Sequence, residues 1–236
     1  MTEKFRDKDA GRARRRGTPI HAYVGANGSG KSLAMVHDTI PSLQAGRKVL
    51  STVRLLDPAT GEPHKSYERL TDWGQLLEAR HCDVLFDEVV GIASARESQG
   101  MPVQVANLLV QLRRRDVVLR WTAPAWARAD RIIRECTQAV TVCHGYFSKR
   151  SKDDERLWAP KRLFKFSTYN ALDFDEAHTG QIEKKPRSNT SWFRGVNSLA
   201  FSSYDTLDQV ERVGEVLDSG RCVHCGGRKA IPQCKC

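Results

Sequence analysis

Two hydrophobic rhythms alternate along the chain. Short stretches that are apolar at nearly every position read as buried strands: "PIHAYV" (19–24), "RKVLSTVRLL" (47–56), "CDVLFDEVV" (82–90), "DVVLRWTAP" (116–124) and "TQAVTVCHGYF" (137–147). Between them lie stretches with the apolar spacing of one helical face: "KSLAMVHDTIPSLQ" (31–44), "TDWGQLLEAR" (71–80), "MPVQVANLLVQLRRR" (101–115) and the short basic "RADRIIREC" (128–136). Thr71 is placed to cap the second of these, and Val103, Ala106, Leu109 and Val110 share a face of the third. Strands alternating with helices predict crossover units, hence an α/β sandwich of three layers around a mainly parallel sheet.

The rhythm weakens after residue 147. "KRSKDDERLWAPKRLFKFSTY" (149–169) predicts an edge hairpin with "SKDDE" in its turn, and 178–200 has little periodicity and reads as a linker. A short helix is expected over 205–217, followed by a separate cysteine-rich unit. The chain thus divides into a basic arm (1–18, with Arg12 and Arg14 to Arg16), a main domain (19–170), an edge strand and linker (171–204), and a helix with a cysteine-rich tail (205–236).

Composition narrows the class. A chain of 236 residues, 40% hydrophobic and 28% charged, suits one folded α/β domain with an appendage. No apolar run is long enough to span a bilayer, since "VQVANLLVQL" stops at Arg113, and the N-terminus lacks a signal-peptide stretch. A cytoplasmic protein is expected. The net charge of +10 favours anionic partners, nucleic acid foremost, with a solubilising surface as the alternative. Cys82, Cys136 and Cys143 read as small buried hydrophobes.

Behind the first strand stands "GANGSGKS": Gly25, Ala26, Asn27, Gly28, Ser29, Gly30, Lys31 and Ser32, the pattern G-x-x-x-x-G-K-[ST]. Glycines let a backbone wrap a phosphate with several N–H groups aimed inward. In such a loop Lys31 would reach the β- and γ-phosphates of ATP and the Ser32 hydroxyl would ligate Mg²⁺. This expectation makes the domain a P-loop NTPase sandwich. "DVLFDE" adds Asp87 at the C-terminal end of a strand, where ligand sites of open α/β sheets lie. Asp87 would hold Mg²⁺ through water and Glu88 would polarise the attacking water; the alternative is a cap on the next helix. A glutamate directly after the strand aspartate favours a hydrolysing motor over a small-molecule kinase.

The succession "GRKVLSTVRLL", "DVLFDE", "LLVQLRRRDVVLRWTAP" and "RADRIIRECTQAV" resembles the zonula occludens toxin-like ATPases of the FtsK–HerA superfamily over about residues 20–145. The resemblance implies that Arg113 to Arg115 match a basic helix end, Thr122 the polar sensor threonine, and Arg134 the arginine of the following helix. The family's sensor glutamine is Ala123 here. It further implies a motor of viral or mobile-element origin that translocates or packages double-stranded DNA as a homo-oligomeric ring, in host cytoplasm or with a virion, in contact with capsid or assembly proteins. Arg115, Arg131 and Arg134 are then candidates to reach a neighbour's γ-phosphate. Other outcomes of the same residues are a phage assembly or secretion ATPase, a small-molecule kinase and a nucleotide-switched regulator.

The last fifteen residues, "CVHCGGRKAIPQCKC" preceded by Arg221, place Cys222, Cys225, Cys234 and Cys236 in a C-x-x-C…C-x-C array. Four thiolates suit tetrahedral Zn²⁺, which would supply the folding energy of a segment too short for a core; reduced free thiols are the alternative.

Overall fold

The computed structural model describes residues 18–71, 73–89, 103–146, 163–180, 186–194 and 198–205. The basic arm, the helix expected over 205–217 and the four tail cysteines lie outside the described residues. In chain order the elements are β1 (Ile20–Val24), α1 (Lys31–Gln44), β2 (Lys48–Ser51), β3 (Tyr67–Arg69), α2 (Trp73–Glu78), β4 (Cys82–Phe86), α3 (Val103–Gln111), β5 (Val118–Ala123), α4 (Arg131–Cys136), β6 (Ala139–Tyr146), β7 (Leu163–Asn170), α5 (Ala171–His178), β8 (Ser188–Arg194) and α6 (Leu199–Ser202).

The strands form one eight-stranded sheet in the order β3-β2-β4-β5-β1-β6-β7-β8. The first six in that order are mutually parallel, and β7 and β8 extend the β6 side antiparallel. Every residue of β4 and β5 is buried, as expected for strands covered on both faces. The fold is the mixed α/β, mostly parallel arrangement of P-loop NTPases.

On one face α1 packs Leu33, Met35 and Val36 against Tyr23, Leu85, Phe164 and Phe166. On the other, Leu76, Leu108, Leu109, Leu112 and Ile133 pack with Trp121 and Trp126. Fully burying a side chain of this size contributes roughly 1.5–3 kcal/mol. The helix over 103–111 turns differently from its expected face: Leu109 is buried, but Val110 is 75% exposed. The inward stripe continues instead through Leu108 and Leu112, and one residue past Leu109 the helix has already rotated by about 100°.

The strand read as apolar throughout carries a buried charge. Asp83, fully buried, accepts hydrogen bonds from Arg47 Nε (2.7 Å), Arg120 (2.6 Å) and Ser42 Oγ (2.7 Å). Two guanidinium partners and a hydroxyl offset the cost of burying this carboxylate, which alone would be several kcal/mol.

The C-terminal stretch departs most from its reading as a linker. Residues 171–178 form α5, capped by Asn170, and 188–194 form β8 along the free edge of β7. Here β8 forms because β7 presents unpaired backbone groups, not because its sequence alternates. After α6 the chain returns to the segment following β2: Leu56 N–H donates to the Ser203 carbonyl at 2.8 Å, and Tyr204 pairs with Leu55.

Candidate active site

β1 delivers the loop at the C-terminal edge of the sheet, where its first amide, Gly25 N–H, donates to the Ala123 carbonyl of β5 at 3.3 Å. Gly25 (φ 155°) and Gly30 (φ 88°) are glycines for steric reasons as well. A Cβ on Gly25 would lie 2.4 Å from the Cys143 carbonyl oxygen, and one on Gly30 would lie 2.7 Å from the Phe164 ring. Gly28 also has positive φ, at 68°. Gly30 ends the loop and caps α1, whose first residue Lys31 is buried and folds its Nζ back to the Ala26 carbonyl at 3.3 Å. The Ser29 hydroxyl is buried with no hydrogen-bond partner among the described residues.

Beside the loop, the Ser32 hydroxyl donates to the Asp87 carboxylate, 2.9 Å from each oxygen. Asp87 is fixed by two neighbouring strands. Its N–H donates to Thr52 Oγ1 at 2.9 Å, just past β2, and its Oδ1 accepts from Thr122 Oγ1 at 2.6 Å, on β5. Thr122 in turn accepts the Glu88 N–H at 2.8 Å. Glu88 has φ 54°, left-handed backbone that costs a non-glycine residue roughly 1–2 kcal/mol. Strain of this kind persists where surrounding bonds over-determine it, and here the Thr122 hydroxyl holds the strained amide.

Thr52 escaped the sequence reading because its bond to Asp87 arises from β2 lying next to β4. Tyr204 escaped it too: burial, then the negative charge of Asp87, pushes its phenol up to about 12. The returning C-terminal segment is thus held against Leu55, just past β2.

The three arginines stand elsewhere. Arg115 lies before β5, at the N-terminal edge of the sheet and away from the loop, with its guanidinium on the Leu77 carbonyl. Arg134 donates to Asp175 at 3.2 Å and to the Ala129 carbonyl at 3.2 Å, 5.9 Å from the Trp126 ring centroid. Arg131 pairs with Glu135 on the surface, its side chain 83% exposed. The chain itself brings Lys31, Ser32, Asp87, Glu88 and Thr122 together and leaves the arginines outside.

No protein-family profile and no curated protein matches the chain. The N-terminal domain of zonular occludens toxin from Neisseria meningitidis does match in structure, with a TM-score of 0.51 at 13% identity, covering 80% of this chain and 100% of that one. The chain shares that domain's fold. Looser likenesses are the genome packaging NTPase B204 from Sulfolobus turreted icosahedral virus 2 in complex with ATP-gammaS (TM-score 0.45, 14% identity, 65% of this chain and 93% of that one) and the flagellar accessory protein FlaH from Methanocaldococcus jannaschii (0.43, 11%, 72% and 84%).

The site residues fit a nucleotide with Mg²⁺. The loop has no room for a Cβ at its first and sixth positions, and a buried hydroxyl awaits a partner. Ser32 and Asp87 offer the hydroxyl and single carboxylate typical of Mg²⁺ held jointly with phosphates. No cluster of three His, Cys, Asp or Glu suited to a metal occurs among the described residues, and no described helix is long and apolar enough to cross a membrane.

Proposed function

We propose that this chain is an ATP hydrolase of the zonula occludens toxin-like type, of viral or mobile-element origin, that translocates or packages DNA. The observation carrying the proposal is the hydrogen-bonded relay Ser32–Asp87–Thr122–Glu88 beside a glycine-walled loop. Loop amides toward Ser32, the Gly25 N–H being tied to β5, and the Lys31 ammonium would hold the β- and γ-phosphates. Ser32 and Asp87 would hold Mg²⁺, which would supply charge neutralisation at the phosphates. Glu88, exposed beside Asp87, orients water and accepts its proton. Cys222, Cys225, Cys234 and Cys236, outside the described residues, would offer four thiolates to Zn²⁺. In a homo-oligomeric ring, Arg131 is the arginine best placed to reach a neighbour, because Arg115 and Arg134 are tied into their own subunit.

The DNA part of the reading rests on the charge of +10 and on the Arg-rich helix end leading into β5. Phosphate release measured with and without linear double-stranded DNA, together with mass in solution, tests it. DNA should raise turnover several-fold in a species heavier than one chain. Turnover and mass both indifferent to DNA would contradict the motor.

A further inference from the structure

The antiparallel extension of the sheet exposes a surface made of residues outside the nucleotide loop. Antiparallel register sets His144, Lys165 and Trp192 directly opposite one another across β6, β7 and β8, with Tyr146 one pair further along the same face. Tyr146 and Trp192 stack with ring centroids 5.6 Å apart and planes 29° from parallel, and Lys165 Nζ lies 5.7 Å from the Trp192 ring centroid. His144 meets Tyr146 edge-on at 4.6 Å. Trp192 is nevertheless 57% exposed and Tyr146 38%. The opposite face of the same strands is closed by Phe164, Phe166 and Phe193 packing toward α1. On the ladder's own face α5 packs on the end of the strands where Ala139 pairs with Asn170, which leaves the Tyr146 end uncovered among the described residues.

We infer that this face, Tyr146, Trp192, Lys165 and His144, binds an unpaired nucleic-acid strand by stacking bases on the two exposed rings. Two stacked, solvent-facing aromatics bury no core, and they present π-faces that any unpaired base can meet. Charge agrees with the occupant at the Tyr146 end. The strands β6, β7 and β8 contain Lys165, Arg194 and His144 and not one acidic residue, and the acids of α5 (Asp173, Asp175 and Glu176) belong to the helix that packs at the opposite, Asn170 end. Phe164, one residue before Lys165, walls the loop at Gly30, so strand occupancy and loop position share β7. The surface stands on residues outside the nucleotide site, and its test does not read ATP turnover.

The test uses the full chain and fluorescein-labelled dT20, rU20 and a twenty-base-pair duplex, with affinity read by anisotropy at low salt. Trp192→Ala should weaken binding of a single strand about five-fold or more, and Trp192→Phe should retain most of it. Lys165→Ala should lower the log–log salt slope by about 0.7. The dT20 and rU20 arms tell whether the strand is DNA or RNA; tight binding of either by the native chain supports the inference. A fluorescent ATP analogue binding Trp192→Ala as it binds the native chain keeps misfolding out of the comparison. Unchanged single-strand affinity in Trp192→Ala, or no single-strand binding by the native chain, overturns it. So does equal weakening of the duplex, which would mark a phosphate patch. An altered assembly mass in Trp192→Ala with dT20 affinity intact would make the face a subunit interface instead.

Discussion

Thr122 ties the Asp87 carboxylate to the Glu88 backbone. Its single hydroxyl donates to Asp87 and accepts from the strained Glu88 amide, so one side chain positions both the acid proposed to hold Mg²⁺ and the one proposed to activate water. Thr122→Val keeps the shape and removes both bonds. Turnover should then fall about ten- to a hundred-fold, the scale of a small misplacement of a reacting group, while ATP binding stays near native. Thr122→Ser should recover most of the loss. Native turnover in the valine variant would show that Thr122 holds nothing that matters. Local pattern made the loop and the Asp87-Glu88 strand end readable, because each needs only its own neighbours in sequence. Thr52 and the double role of Thr122 depend on which strands lie side by side, and no spacing along the chain records that.

Under α1 the elements enclose a polar layer as well as a hydrophobic one. The Tyr23 hydroxyl donates to Asp38 at 2.7 Å, and His21 Nε2 lies 2.7 Å from Thr141 Oγ1. Burial, only partly opposed by Asp38, lowers the His21 imidazole to about 4 from the usual 6.5. The unfolded chain therefore takes up that proton first. The contribution to stability is complete above about pH 6.5 and is lost as pH falls toward 4, by up to about 3 kcal/mol. Asp38 does not confuse this window: burial raises its carboxyl, but hydrogen bonds from His37 and Tyr23 outweigh that and hold it below 3.8. His37, raised mainly by its bond to Asp38, gives its full contribution throughout the same range. Urea midpoints should fall between pH 6.5 and 5 in the native chain and fall less in His21→Gln; parallel curves would contradict the assignment. Elements were legible where burial on both faces made runs of apolar residues, as in β4 and β5. Three-residue β3, polar β8 and short α5 have no such run, and they form because a neighbouring edge or helix cap already stands.

At the scale of the molecule, the α/β layering followed from the alternation of rhythms, whereas the closing moves of the chain did not. The return of Tyr204 to Leu55 joins residues far apart in the chain, a contact that only the assembled sheet creates. Phe164 of the antiparallel extension stands against Gly30 of the loop, so the outer strands border the candidate site. We propose that this site serves hydrolysis, with binding and turnover assigned to different residues. The direct test is Glu88→Gln, measured for ATP affinity with a fluorescent analogue and for phosphate release. Affinity should stay within a few-fold of native while turnover falls by about a hundred-fold or more. Native-like turnover in Glu88→Gln, or a native chain that binds ATP without releasing phosphate, would contradict the proposal.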